Sequence, residues 1–153
     1  MIAEIVLAVA MASSGIVYPA SDNTDWKPYE DYRCITDTAS AQYELLQRAV
    51  HEDNGLLTID GDIAVALGQA WGEVGDRITF TLEHEGKRHS VRVVIADSKQ
   101  YAHTQYGAGW HGHNGHTIEA IVNTDLLDAE AKTKGSVDAI PILDGEIVKA
   151  VRE

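Results

Sequence analysis

The segment RITFTLEHEGKRHSVRVVIA, residues 77–96, constrains the fold of this chain more than any other stretch. Apolar and polar residues alternate along its first half, and they alternate again along its second half. A period of two is typical of a strand with one buried face. The dipeptide Glu85-Gly86 separates the halves and predicts an antiparallel hairpin. The residues expected to face the core are Ile78, Phe80 and Leu82 on one strand and Val91, Val93 and Ile95 on the other.

Other segments repeat this strand pattern, and they are LLTIDGDIAVAL, HTIEAIVNTDLL, AIPIL and EIVKAVR. In the second of them Ile118, Ala120 and Val122 face one way. The chain has a single Phe, so its core must consist mainly of aliphatic side chains, which suits a small barrel. About six short strands without a βαβ rhythm predict a mainly-β domain that closes, or nearly closes, into a barrel.

A helix is expected before the strands. Residues 36–55, TDTASAQYELLQRAVHEDNG, have candidate caps at Asp37, Thr38 and Ser40, and Asn54-Gly55 would end the helix. This helix and the strands make up one expected domain, residues 29–153.

The N-terminal segment, residues 1–28, has two interpretations. Its apolar run, residues 5–17, resembles the core of a signal peptide, but Glu4 stands where positive charge is expected. The segment is therefore either a degenerate leader or an arm packed on the domain. We interpret its last eight residues, the polar stretch SDNTDWKP, as a linker, and the sequence assigns no role to its Trp26.

Charge and cysteine content exclude some classes of partner. The formal net charge is −12, and no basic face for phosphate binding is visible, so we expect no nucleic-acid partner. The apolar run near the N-terminus is too short to span a bilayer. Cys34 is the only cysteine, so the fold does not depend on an intrachain disulfide.

Asp97 is the first candidate for chemistry. It ends the apolar run VRVVIAD, and a long irregular stretch follows it. A carboxyl group at the mouth of a barrel, partly withdrawn from water, can have a raised pKa and transfer protons. The competing interpretation is that Asp97 caps a turn, and position alone favours that interpretation.

Four pieces, AVALG, GDRITF, VVIAD and TIEAIV, stand in an order that resembles the double-psi β-barrel family. That family includes the rare lipoprotein A type, the Asp-Asp-Asp barrels of lytic transglycosylases, and relatives in phages and Gram-positive bacteria. The upstream stretch YEDYRCITDTASAQYELLQRA is similar to the segment before the barrel in the phage and Gram-positive branch. The resemblance implies a small six-stranded double-psi β-barrel with one N-terminal α-helix packed on it. It also implies an extracellular or virion-associated protein that acts on peptidoglycan.

The resemblance also implies roles for individual residues. Asp97 matches the general acid and base of the catalytic relatives, and Glu119 stands where many of them have an aspartate. Lys99 and His103 match charged positions of the phage-like branch and would orient or stabilise charge. The chain departs from the rare lipoprotein type, because Ser98-Lys99 replaces the usual Arg-Gly, and the Asp-Asp-Asp signature is not intact. The implied reaction is cleavage of glycan strands, as a lytic transglycosylase or as a muramidase that pairs Asp97 with Glu119.

The stretch GAGWHGHNGHT raises alternatives to that reaction. Its histidines, His111, His113 and His116, have a spacing that a zinc-dependent hydrolase could use, although the glycines between them do not suit a rigid metal site. We therefore expect no cofactor and interpret the stretch as a loop in which His111, His113 and Trp110 contact a sugar. Trp71 is a second candidate for sugar stacking, with a place in the core as its competing interpretation. A carbohydrate-binding barrel without catalytic activity stays open as an alternative function.

Overall fold

The computed structural model describes residues 16–18, 26–99, 104–105, 111–112 and 116–153. Within them the chain is mainly β, which confirms the predicted class. The strands are β1 Ile16–Tyr18, β2 Tyr29–Asp31, β3 Val50–His51, β4 Leu57–Ile59, β5 Asp62–Gly68, β6 Arg77–His84, β7 Lys87–Lys99, β8 Thr104–Gln105, β9 His111–Gly112, β10 Glu119–Val122 and β11 Glu146–Arg152. The α-helices are α1 Ala41–Leu46 and α2 Ala129–Lys134. No helix in this part of the chain is long and apolar enough to cross a membrane.

Nine strands form one mixed sheet in the described part of the chain. Seven of them follow the order β1-β11-β6-β7-β5-β10-β2, while β4 pairs with β5 and with β3. The β6–β7 hairpin forms as predicted, with His84 paired to Lys87 next to the turn. The pairs β5–β7 and β10–β2 are parallel, and the other pairs of this sheet are antiparallel.

The core has two clusters of buried side chains, one on each face of the central strands. The first cluster contains all nine residues that the alternation assigned to the core on the three best-defined strands, which are Ile78, Phe80, Leu82, Val91, Val93, Ile95, Ile118, Ala120 and Val122. The second cluster contains Leu46, Leu57, Ile59, Ala64, Val94, Ala96 and Ile121. Strands β5 and β7 supply side chains to both clusters, as expected of parallel neighbours that are covered on both faces.

The helix α1 is shorter than predicted. Ser40 caps it, because its hydroxyl oxygen accepts a hydrogen bond from the Tyr43 amide at 3.1 Å. The helix ends at Leu46, and Val50 then pairs with Thr58 as part of β3. Asn54-Gly55 lies in the turn between β3 and β4 and does not end a helix. Pairing with the next strand, β4, therefore overrides helix propensity at Val50, a β-branched residue.

Trp71 lies in the core. It is 1% exposed, and its ring centroid is 5.4 Å from that of Phe80. A side chain this deeply buried cannot stack on a sugar, so its predicted role in substrate binding is replaced by a packing role.

Candidate functional site

A β-bulge directs Asp97 to the second face of the sheet. Val65 of β5 pairs with Ile95 of β7, but the next residue, Ala66, pairs with Asp97, so Ala96 is an extra residue on β7. With strict alternation Asp97 would lie on the same face as Val93 and Ile95, in the first cluster. The bulge shifts the phase by one residue, and Asp97 instead points to the face that carries Ala96. Bulges are common beside active sites because they redirect a side chain in this way.

The register then aligns Asp97 with a second carboxylate. Ala66 pairs with Asp97 on one side and with Glu119 of β10 on the other. Residues that are paired across a sheet point to the same face, so both carboxylates flank the small side chain of Ala66. The predicted proximity of Asp97 and Glu119 thus has a structural basis, with only a methyl group on the strand between them.

Glu30 on β2 adds a third carboxyl group. It pairs with Ile121, a member of the second cluster, and so points to the same face as Asp97 and Glu119. The carboxyl groups of Glu30 and Asp97 are in hydrogen-bonding contact. Two strands, β5 and β10, lie between β7 and β2, so the sheet must curve toward this face to allow that contact. We call Glu30, Asp97, Glu119, Lys99 and His116 the carboxyl cluster.

Glu30 retains a proton at neutral pH. Burial raises its pKa most strongly, and the hydrogen bond with Asp97 and the negative charges of Asp97 and Glu119 raise it further, to about 9. Lys99 acts in the opposite direction but does not cancel these effects. The Glu30–Asp97 pair therefore contains a carboxylic acid beside a second carboxyl group, as two such groups in close contact cannot both ionise easily.

Lys99 and His116 surround Glu119. The Lys99 Nζ atom lies 3.6 Å from Glu119 Oε2, and His116 Nε2 lies 3.7 Å from the same oxygen. Burial lowers the pKa of Lys99, and the negative charges of Glu119 and Glu30 offset only part of this effect. For Glu119, burial acts to raise the pKa, but His116 and Lys99 outweigh it, and the pKa lies below its ordinary value. Glu119 is therefore a weak base.

Three buried polar atoms of the cluster have no hydrogen-bond partner among the described residues. They are Glu30 Oε1, Lys99 Nζ and His116 Nδ1. Unsatisfied buried polar atoms are destabilising and uncommon, and they concentrate where a ligand or a reaction requires them. Their presence in one cluster supports a binding or catalytic role for this face.

Some of the other predicted site residues lie outside the described part of the chain, and others lie within it. His103, Trp110 and His113 lie outside the described residues, and for His111 the structure describes only the backbone, in β9. His116 is buried and contacts Glu119. Among the described residues, no group of three or more His, Cys, Asp or Glu side chains is placed to hold a metal ion.

Glu30 is the residue that the sequence reasoning missed. It occurs in the polar stretch YEDYR, where no alternation identifies a strand. The only available signal is the likeness of this stretch to the segment that precedes the barrel in the phage and Gram-positive branch.

Comparison with known proteins finds no match for this chain. No protein-family model matches the chain, and neither the curated proteins nor the solved structures contain a match.

Proposed function

We propose that this protein cleaves the glycan strands of peptidoglycan at the carboxyl cluster. The observation that carries the proposal is that strand register brings Glu30, Asp97 and Glu119 to one face of the sheet. Burial there, and then the neighbouring Asp97, raises the pKa of Glu30 to about 9, so this carboxylic acid keeps its proton at neutral pH. Glycosidic bonds break when an acid protonates the leaving oxygen while positive charge develops on the sugar. A half-buried carboxyl pair supplies that acid. The proposed substrate implies action at the bacterial cell wall, from outside the cell or from a virion.

We also propose that this nine-stranded sheet contains a six-stranded double-psi barrel. Three motif pieces coincide with strands of the structure: AVALG lies in β5, VVIAD in β7 and EAIV in β10. Strands β5 and β7 pair directly and in parallel, although β6 lies between them in the sequence, and this crossover supports the same proposal.

The proposed reaction needs one proton-bearing pair. The Glu30–Asp97 pair donates its proton to the glycosidic oxygen, and the bond from this oxygen to C1 of N-acetylmuramic acid breaks. The 6-hydroxyl oxygen of the same sugar then forms a bond to C1, and its proton returns to the Glu30–Asp97 pair. The products are a 1,6-anhydro sugar and a free sugar end, and the pair regains its starting state.

The charges around Glu119 favour this reaction over hydrolysis with inversion. Hydrolysis with inversion needs a second carboxylate that is basic enough to activate water. Glu119 has a lowered pKa and is engaged by Lys99 and His116, so it is poorly suited to that role. Its negative charge is suited to stabilising the positive charge that develops on the sugar ring.

The test is digestion of purified cell-wall sacculi, with the soluble muropeptides identified by mass spectrometry. The expected products are lighter by one water than the products of hydrolysis. Asp97→Asn and Glu30→Gln are expected to reduce release at least about a hundredfold, in the range for loss of a general acid or base. Glu85→Gln, in the exposed β6–β7 turn, is the matched control and should release muropeptides like the unaltered chain. No release by the unaltered chain, or equal release by Asp97→Asn, would refute cleavage at this site.

The three buried polar atoms that lack a hydrogen-bond partner among the described residues favour a second candidate, binding of cell-wall glycan without cleavage. A binding site also uses buried donors and acceptors that await a ligand. The same assay separates the candidates. Retention of the protein on sacculi with no soluble product, unchanged by Asp97→Asn, would select binding.

A further inference from the structure

Trp26 is an exposed aromatic residue beside the carboxyl cluster. It lies three residues before β2, the strand that carries Glu30, and 37% of its surface is exposed. The sequence assigns this residue to a linker and predicts no role for it. The structure places it next to His116, with the two ring centroids 5.2 Å apart and the ring planes perpendicular.

The exposed indole is held in a fixed position. Its Nε1–H group donates a hydrogen bond to the Gly135 carbonyl oxygen at 3.1 Å. The next residue, Lys27, is tied to the same segment twice: its amide donates to Ser136 Oγ at 2.8 Å, and its carbonyl oxygen accepts from the Val137 amide at 2.8 Å. An aromatic side chain that is both exposed and immobilised can bind a ligand with little further loss of conformational entropy.

His116 connects this indole to the carboxyl cluster. Trp26 contacts the ring of His116, and His116 Nε2 lies 3.7 Å from Glu119 Oε2. A sugar bound at the carboxyl cluster would thus have Trp26 on the side of His116. A pyranose ring has an apolar face of C–H groups and an edge of hydroxyl groups. An aromatic wall next to charged and polar groups matches both parts.

We propose that Trp26 forms the wall of a sugar subsite that adjoins the carboxyl cluster and stacks on the apolar face of one N-acetylhexosamine ring. The inference rests on the proposed function, since a glycan is the substrate considered there. Trp26 contacts the ring of His116, and its indole N–H is already donated to the Gly135 carbonyl oxygen, so it binds the strand and takes no part in proton transfer. Its loss should raise KM and leave kcat nearly unchanged, because such a contact is the same in the bound ground state and the transition state.

The first test measures glycan binding by the Asp97→Asn chain, which cannot turn over the probe. The probe is a soluble β-1,4-linked N-acetylglucosamine oligomer, titrated by calorimetry. Adding Trp26→Leu, which retains apolar bulk but removes the aromatic face, is expected to raise Kd about tenfold. Adding Trp26→Phe, which retains an aromatic face, is expected to raise Kd by about threefold or less. Equal Kd values for the Leu variant and its parent would overturn the inference.

Fluorescence provides a second readout that does not require the leucine variant to fold. The chain has three tryptophans, and Trp71 is buried in the core. Glycan binding should change the tryptophan emission of the parent chain. The change should be smaller in the Trp26→Phe variant, which retains Trp110, the other tryptophan expected to contact a sugar. An undiminished emission change in the Trp26→Phe variant would place the responding indole elsewhere and overturn the inference.

The sacculus assay distinguishes this inference from the proposed function. Release of anhydro products with a KM that Trp26→Leu does not alter would overturn the role of Trp26 and leave cleavage intact. Binding that depends on Trp26, with no product released, would overturn cleavage and leave the subsite intact.

Discussion

Replacing Glu30 with glutamine is expected to change how stability depends on pH. The native pKa of Glu30 is about 9, against an ordinary value of 4.5. Between these values the native chain holds a proton that the unfolded chain has released. The stabilisation from Glu30 is therefore complete below about pH 4.5 and is lost as the pH rises toward 9.

The magnitude follows from the linkage relation. When the native state holds one proton that the unfolded state has released, the free energy of unfolding falls by about 1.4 kcal/mol for each unit by which the pH rises. Between pH 6 and pH 8 this amounts to about 2.7 kcal/mol, an upper limit because Glu30 is only half-buried and solvent screens its charge. Glutamine has the shape of protonated glutamate and cannot ionise, and its amide can donate a hydrogen bond to Asp97. The Glu30→Gln chain should therefore lose this part of the pH dependence.

The assay is urea unfolding of both chains at pH 6, 7 and 8, at constant ionic strength. The unaltered chain should lose up to about 2.7 kcal/mol more than Glu30→Gln over this range. Lys99 and Glu119 titrate in both chains, so their contributions largely cancel in the difference. The exposed Glu85→Gln variant should follow the unaltered chain. Parallel curves for Glu30→Gln and the unaltered chain would refute the assignment of a retained proton to Glu30.

Three further substitutions test the site and the fold. Ala66→Val places a larger side chain between Asp97 and Glu119, so release of muropeptides should fall at least about tenfold, while urea unfolding should show a loss of only about 1–3 kcal/mol. Asp31→Asn weakens the contacts of a carboxylate whose pKa is held well below its ordinary range, chiefly by hydrogen bonds from Arg33. It should lower stability at pH 7 by about 1.5–3 kcal/mol, and the difference from the unaltered chain should shrink as the pH falls below about 4, which acid titration followed by circular dichroism would detect. Trp71→Ala should cost about 3–5 kcal/mol in urea unfolding, and a loss under about 1 kcal/mol would contradict its place in the core.

The parts of the fold that the sequence predicted well are those with a local signal. Alternation along residues 77–96 identified the β6–β7 hairpin and its buried face, because side-chain direction in a strand follows from position alone. The helix was predicted to be too long because its end depends on strand pairing, which the local pattern does not show. Val50 leaves the helical path to pair with Thr58, and a helical pattern contains no information about that partner.

The candidate site was predicted in part. A muramidase that pairs Asp97 with Glu119 was one of the alternatives, and the register places these two residues on either side of Ala66. Glu30 was not expected, because its proximity to Asp97 depends on the parallel pairing of β2 with β10 and on the curvature of the sheet. Trp26 lies beside the cluster because two groups distant in sequence hold this segment there: the Gly135 carbonyl accepts from the Trp26 indole, and the Ser136 hydroxyl accepts from the Lys27 amide.

By itself the sequence determined the mainly-β class, the hairpin and the strand faces that form the first cluster, since each follows from a pattern with a period of two. It also identified Asp97 as the end of an apolar run, although the strand β7 itself continues to Lys99. Strict alternation, however, would point Asp97 into the first cluster with Val93 and Ile95. Only the tertiary structure, through the extra residue Ala96 in the pairing of β7 with β5, turns Asp97 to the face of Glu30 and Glu119. The physical reason is that a bulge is a property of two strands in register, and neither strand's own sequence encodes it.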